Sequence, residues 1–212
     1  MLSVPSVNQL TCVWMLTPGD GSNDGNRRLV PHGQAASLAQ FLQTCISEGR
    51  RDVREIAAYF SADPFSYCSY GDEPATYLTR ASRAQYFASI PQPALRDSVV
   101  FFDPDNGMEP AGGATIAHLR YQELRDVLQR MDRQSIAVVY QHLPRKRGDV
   151  FWPATAAALK AASGDQVGYV AAGDVAFYCI ARSASAGRFL GSALREFAER
   201  WPRKLIFGPV TP

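Results

Sequence analysis

Two short runs constrain the fold more than any other feature of the chain. Residues 98–102 (SVVFF) and 135–140 (SIAVVY) are apolar at nearly every position, with no polar residue at every second place. A strand with one wet face alternates. One that does not alternate is expected to be covered on both faces, as an interior strand of a parallel sheet is. Parallel strands need crossover connections, and helical patterns lie where crossovers would run. AASLAQFLQTCISEG (35–49) spaces Leu38, Phe41, Leu42 and Cys45 on one helical face, and RDVREIAAYF and TRASRAQYFASI follow as shorter helices. Between the two apolar runs, HLRYQELRDVLQRM puts Leu119, Leu124, Val127, Leu128 and Met131 on one stripe.

The remaining segments complete the pattern. TCVWML (11–16) is a first strand, with a second, short one around SYCSY. A helix around WPATAAALKAAS follows SIAVVYQHLP. QVGYVAAGDVAFYCIARS then predicts two strands joined at AAGD, and SASAGRFLGSALREFAERW and KLIFG give a last helix and a last strand. This order predicts a three-layer α/β fold: a doubly wound, mostly parallel sheet with a C-terminal hairpin at its edge, in one domain over residues 1–212. A chain of 212 residues, 46% hydrophobic and 20% charged, has the material for one such core.

Composition narrows the function classes. A net charge of +2 does not require a wide nucleic-acid surface, although a local basic groove is compatible with it. Cys12, Cys45, Cys68 and Cys179 have no zinc-ligand spacing. The N-terminal LSVPSVNQL has no signal-peptide pattern, and no apolar run reaches the ~18 residues of a membrane span. The expected setting is the cytoplasm, with reduced cysteines and no membrane contact.

In open α/β sheets ligands bind outside the carboxyl ends of the strands. That rim would carry the loop after TCVWML, the DPDNG turn after SVVFF and the QHLPRKR segment after SIAVVY. Pro104 biases Asp103 toward extended backbone, holding its carboxylate at the strand end, and Gly107 permits a sharp turn. Asp103 and Asp105 are therefore the candidate catalytic carboxylates. Asn106, with a donor and an acceptor, suits the edge of a nucleobase. Tyr140, Gln141 and His142 end the other strand. His142 is placed to stabilise a departing anion, Tyr140 or Phe102 to stack a base, and Arg145, Lys146 and Arg147 to meet phosphates. In TPGDGSNDGNRR there is no GxxxxGK[ST] or GxGxxG, so Asp20, Asn23, Asp24 and Arg27 are candidates for hydrogen bonding to a polar substrate, not a triphosphate. The same residues also have plain structural uses, since Asp, Asn, Pro and Gly are common turn formers and RKR suits a solvated loop. His118 and His32 are expected to be structural or exposed.

FFDPDNG at a strand end resembles the DPPY-type motif of Rossmann-fold amino-methyltransferases, with Asp105 and Asn106 standing where that motif has Pro and an aromatic. The order of elements from Ser98 onward, ending in a hairpin, resembles the second half of that fold. The first strand lacks the acidic residue and glycine pattern that would hold S-adenosylmethionine. FFDPDNG taken with YQHLPR also resembles uracil-DNA-glycosylase-like enzymes and anti-phage DNA glycosylases that excise modified bases. That resemblance implies a hydrolase of DNA that flips a base and cleaves its N-glycosidic bond. Asp103 or Asp105 would stabilise the sugar cation or orient water, without metal or organic cofactor. The methyltransferase resemblance implies base methylation instead.

Overall fold

The computed structural model describes residues 7–17, 36–61, 65–143, 148–200 and 206–211. They form seven strands and six helices: β1 (Gln9–Trp14), α1 (Ala36–Ser47), α2 (Ile56–Phe60), β2 (Ser66–Tyr70), α3 (Arg83–Ala88), β3 (Ser98–Asp103), α4 (Tyr121–Arg130), β4 (Ile136–His142), α5 (Gly148–Ser163), β5 (Gln166–Ala172), β6 (Val175–Ala181), α6 (Ala184–Arg200) and β7 (Ile206–Thr211). The strands make one mixed sheet in the order β2-β1-β3-β4-β6-β5-β7. β1 pairs in parallel with β2 and β3, and β3 with β4; the pairs β4–β6, β6–β5 and β5–β7 are antiparallel. No helix among the described residues is long and apolar enough to cross a membrane.

The order contains a reversal. From β1 the chain moves to β2 on one side, and from β3 it moves to β4 on the other, so the connections leaving β1 and β3 diverge. Diverging connections leave a crevice outside the carboxyl ends of the two strands.

The hairpin expected at AAGD forms, with a two-residue turn at Gly173 and Asp174 and Gly173 at φ +58°. It is not the sheet edge. β7 hydrogen-bonds the outer side of β5, so β2 and β7 are the edge strands. A local turn signal fixes a hairpin but says nothing of a strand that returns 25 residues later.

The non-alternating runs are also corrected. In β3 Ser98, Val100 and Phe102 are buried, whereas Val99, Phe101 and Asp103 are only half-buried. The buried side packs against α4 and α5 in a cluster that includes Phe102, Val139, Leu124, Leu128, Trp152 and Leu159. A second cluster joins Ile136, Val170, Cys179 and Ala181 to Ala186, Leu190 and Leu194 of α6. Val138 and Tyr140 of β4 are half-buried like Phe101. The apolar residues that break the alternation thus lie along a half-open strip of the sheet. Phe102, expected to stack a base, is wholly inside the core, and Phe101 takes the half-exposed place.

Candidate functional site

Asp103 is the last residue of β3 and stands opposite Trp14, the last residue of β1, at the crevice where the connections diverge. Burial in this position, and then the charge of neighbouring Asp105, push its carboxyl from an ordinary 3.8 up to about 6. Asp103 in turn raises the Tyr140 hydroxyl and the Cys12 thiol, in each case after the larger effect of burial, with Cys12 reaching about 12. The carboxylate therefore faces the side of the sheet that carries Cys12 and Tyr140.

That side holds a row of rings. Phe101 lies edge-on to Trp14 with ring centres 6.5 Å apart, and 6.3 Å from Phe177, which is 5.8 Å from Tyr140. Tyr140 meets the His142 ring at 5.3 Å, and its hydroxyl is 2.8 Å from His142 Nε2. Trp14 is fixed by an Nε1–H donated to Ser69 Oγ at 3.0 Å. Phe177 remains 38% exposed. Trp14 is buried, and the partly exposed rings of Phe101, Phe177 and Tyr140 beside a carboxylate suit a flat ring better than an aliphatic chain.

The DPDNG turn divides its polar groups between two sides. The Gly107 N–H donates to Pro104 O at 3.3 Å, closing a turn in which Gly107 has φ +76°. Asp105 accepts the Thr17 hydroxyl at 3.3 Å, so it points toward the end of β1 and the crevice. Asn106 instead lines a cavity of about 350 Å³ with Met108, His118, Tyr121 and Phe151, beneath α5.

Gln141, expected to contact a substrate, is 2% exposed and works inside the protein. Its Oε1 accepts the Met108 N–H at 2.8 Å, and its Nε2 donates to His142 O at 2.6 Å and to Asn106 O at 3.5 Å. It clamps the DPDNG turn to β4. A Cβ at Gly107 would collide with this amide, so glycine is required there for space as well as for φ. The segment returning to α4 completes the support: Asn106 N–H donates to Ala117 O at 3.0 Å, and Leu119 N–H to Gly107 O at 2.9 Å.

His118 has a structural place in the Thr115 turn, and its ring also lines a cavity. Its Nδ1 faces the Thr115 N–H at 3.1 Å and the Thr115 hydroxyl at 2.8 Å. A backbone N–H can only donate, so Nδ1 is the acceptor and the ring proton sits on Nε2. Burial, then Arg83, hold its pKa below the usual histidine value, and the ring lines the same cavity as Asn106. No spacing in the sequence announces this, because the Thr115–His118 turn becomes a cavity wall only through the packing of α4 and α5. Glu109 accepts the Tyr121 N–H at 2.8 Å at the start of α4. Among the described residues no group of three or more His, Cys, Asp or Glu is gathered for a metal ion.

The structure thus brings Asp103, Asp105, Tyr140 and His142 to one rim and turns Asn106 and Gln141 to the far side of the turn. Asp20, Asn23, Asp24, Arg27, Arg145, Lys146, Arg147 and His32 lie outside the described residues. Comparison with known proteins gives no match: no family model fits the chain, and no curated protein or solved structure is similar to it.

Proposed function

We propose that the protein is a DNA glycosylase that cleaves the N-glycosidic bond of a flipped, modified base, and that Asp103 is its general base. The observation that carries this reading is a half-buried carboxylate with a pKa raised to about 6, at the carboxyl ends of β1 and β3 where the strand order reverses, beside a row of aromatic rings. Raised carboxyl pKa values in a cleft are a signature of working acids and bases. The fold is taken as three-layer and doubly wound, with α4 and α5 on one face of the sheet and α6 on the other.

In this mechanism the extruded base lies against Phe101, Phe177 and Tyr140. As the bond from the sugar carbon to the base nitrogen lengthens, positive charge grows on the sugar, and ionised Asp103 and Asp105 stabilise it. Asp103 takes a proton from water, whose oxygen bonds to the sugar carbon. The base leaves with the bonding electron pair, its charge eased by His142, and takes a proton from solvent, while Asp103 later returns its proton to solvent. The products are an abasic site and a free base. Substrate DNA of this kind occurs in phage genomes, so a cytoplasmic defence role is the setting proposed, with Arg145, Lys146 and Arg147 as phosphate contacts.

The test incubates the full chain with plain and modified phage DNA, then measures alkali-labile sites and identifies released bases by mass spectrometry. Base release that is lost in Asp103→Asn supports the reading, and no release from any substrate refutes it. One observation favours a second reading, methyl transfer to a base: β3 and β4 are followed by an antiparallel strand inserted beside β4, in keeping with the methyltransferase resemblance of this half of the chain. Thermal stabilisation by S-adenosylmethionine without base release would select that alternative.

A further inference from the structure

A cavity of about 660 Å³ lies between α3 and α4, and the residues that bear on its chemistry are arginines. Arg80, Arg83, Arg120 and Arg130 line it, against Glu123 and Asp126. The two acids offset only half of the charge of the four arginines, and Asp126, whose partner is a neutral amide, stays charged at the cavity. Glu123 pairs with Arg83, whose Nη2 donates to it at 2.7 Å, and Asp126 accepts the Gln122 amide at 2.6 Å. Arg130 donates to Phe87 O at 2.7 Å and to Ile90 O, which are neutral acceptors that leave its charge uncompensated. Arg80 and Arg120 are exposed at the cavity and have no carboxylate partner among the described residues. Ala84, Ala88 and Val127 give it an apolar wall.

We infer that this cavity is a binding site for a nucleoside monophosphate, with its phosphate on the arginines and the face of its base against the apolar wall. Guanidinium groups bind phosphate through paired, charge-assisted hydrogen bonds, and Arg80 and Arg120 line the cavity with no carboxylate partner among the described residues. The volume is that of an ordinary small-molecule site. The site is separate from the Asp103 crevice and does not depend on the glycosylase reading, yet it is joined to the same turn. Arg83, at its base, donates to Ile116 O at 2.8 Å and to His118 O, and the segment holding those carbonyls bonds Asn106 and Gly107 through Ala117 and Leu119. Arg83 thus links the wall of the cavity to the segment that supports the DPDNG turn.

Calorimetric titration of the full chain with 2′-deoxyadenosine 5′-monophosphate, deoxyadenosine and inorganic phosphate tests the inference. The nucleotide should bind saturably and at least about tenfold tighter than either fragment, and the double variant Arg80→Ala/Arg120→Ala should lose about tenfold in affinity or more. Its melting curve should stay close to that of the wild type, because both side chains are exposed. Asp103→Asn should bind the nucleotide unchanged, which separates this cavity from the crevice. Absence of saturable binding up to about 10 mM, binding that survives the double arginine variant, or binding lost in Asp103→Asn would overturn it. Phosphate binding as tightly as the nucleotide would overturn the assignment of a nucleoside to the apolar wall.

Discussion

Replacing Asp103 with asparagine should abolish turnover and, above pH 6, make the protein more stable. The native state lifts this carboxyl from 3.8 to about 6, with burial as the first cause and Asp105 as the second. At about 1.4 kcal/mol per tenfold change in ionisation, the charged form is disfavoured in the fold by roughly 3 kcal/mol at most. The sign follows from proton binding: between pH 3.8 and 6 the native state holds the proton more often than the unfolded chain, so stability falls as pH rises through that window. Above about pH 6 the whole cost is present; near pH 4 almost none of it is. Asparagine keeps the shape and discards the charge, and its own amide must still leave water, so the net gain at pH 8 is set at about 1.5–3 kcal/mol. For a chain of this length 1 kcal/mol moves the melting temperature by about 2–4 °C, so the variant should melt roughly 3–12 °C above the wild type at pH 8. The difference should shrink by about 2 kcal/mol at pH 4.5, where about a third of the charge cost remains. Paired urea titrations at the two pH values measure it. A variant less stable than the wild type at pH 8, or a gap that ignores pH, would mean that Asp103 is a hydrogen-bonded turn residue and not a carboxylate held ready for chemistry.

Base release should fall about tenfold for each pH unit below 6, since Asp103 must be ionised to accept a proton; a flat profile from pH 5 to 8 would remove it from that role. Gly107→Ala should cost at least about 1–2 kcal/mol from its positive φ alone, and more from the collision with Gln141, seen as a lower denaturation midpoint at unchanged slope. Gln141→Leu leaves the buried Met108 N–H without an acceptor and should cost about 1–3 kcal/mol, with faster amide exchange at Met108. Arg83→Met strands the Glu123 carboxylate and should destabilise by about 3–5 kcal/mol; the double variant Arg83→Met/Glu123→Leu should recover part of that loss, as judged by thermal melts.

Much of the fold was written locally. The parallel start, the helix of residues 121–130 and the β5–β6 hairpin follow from periodicity and turn chemistry, because each is decided by neighbours a few residues apart. Asp103 was legible for the same reason: an apolar strand followed by Pro104 and Gly107 fixes a carboxylate at a strand end. Other features were not accessible in this way. An unbroken apolar run carries no period-2 signal, so nothing in SVVFF distinguishes buried Phe102 from half-exposed Phe101; the helices covering one face decide it. Nor does YQH announce that Gln141 turns inward to hold the Met108 N–H, or Thr115–His118 that its ring lines a cavity.

By itself, then, the sequence determined the local elements and the strand-end carboxylate, which depend on backbone preference and short-range pattern. Only the tertiary structure decided that Asp103 stands at the divergence of β1 and β3, that β7 covers the hairpin, and that Asn106 and Asp105 face opposite sides of one turn. Strand order and the coverage of each face arise from contacts between segments tens of residues apart, and such contacts leave no mark in the pattern of any one segment.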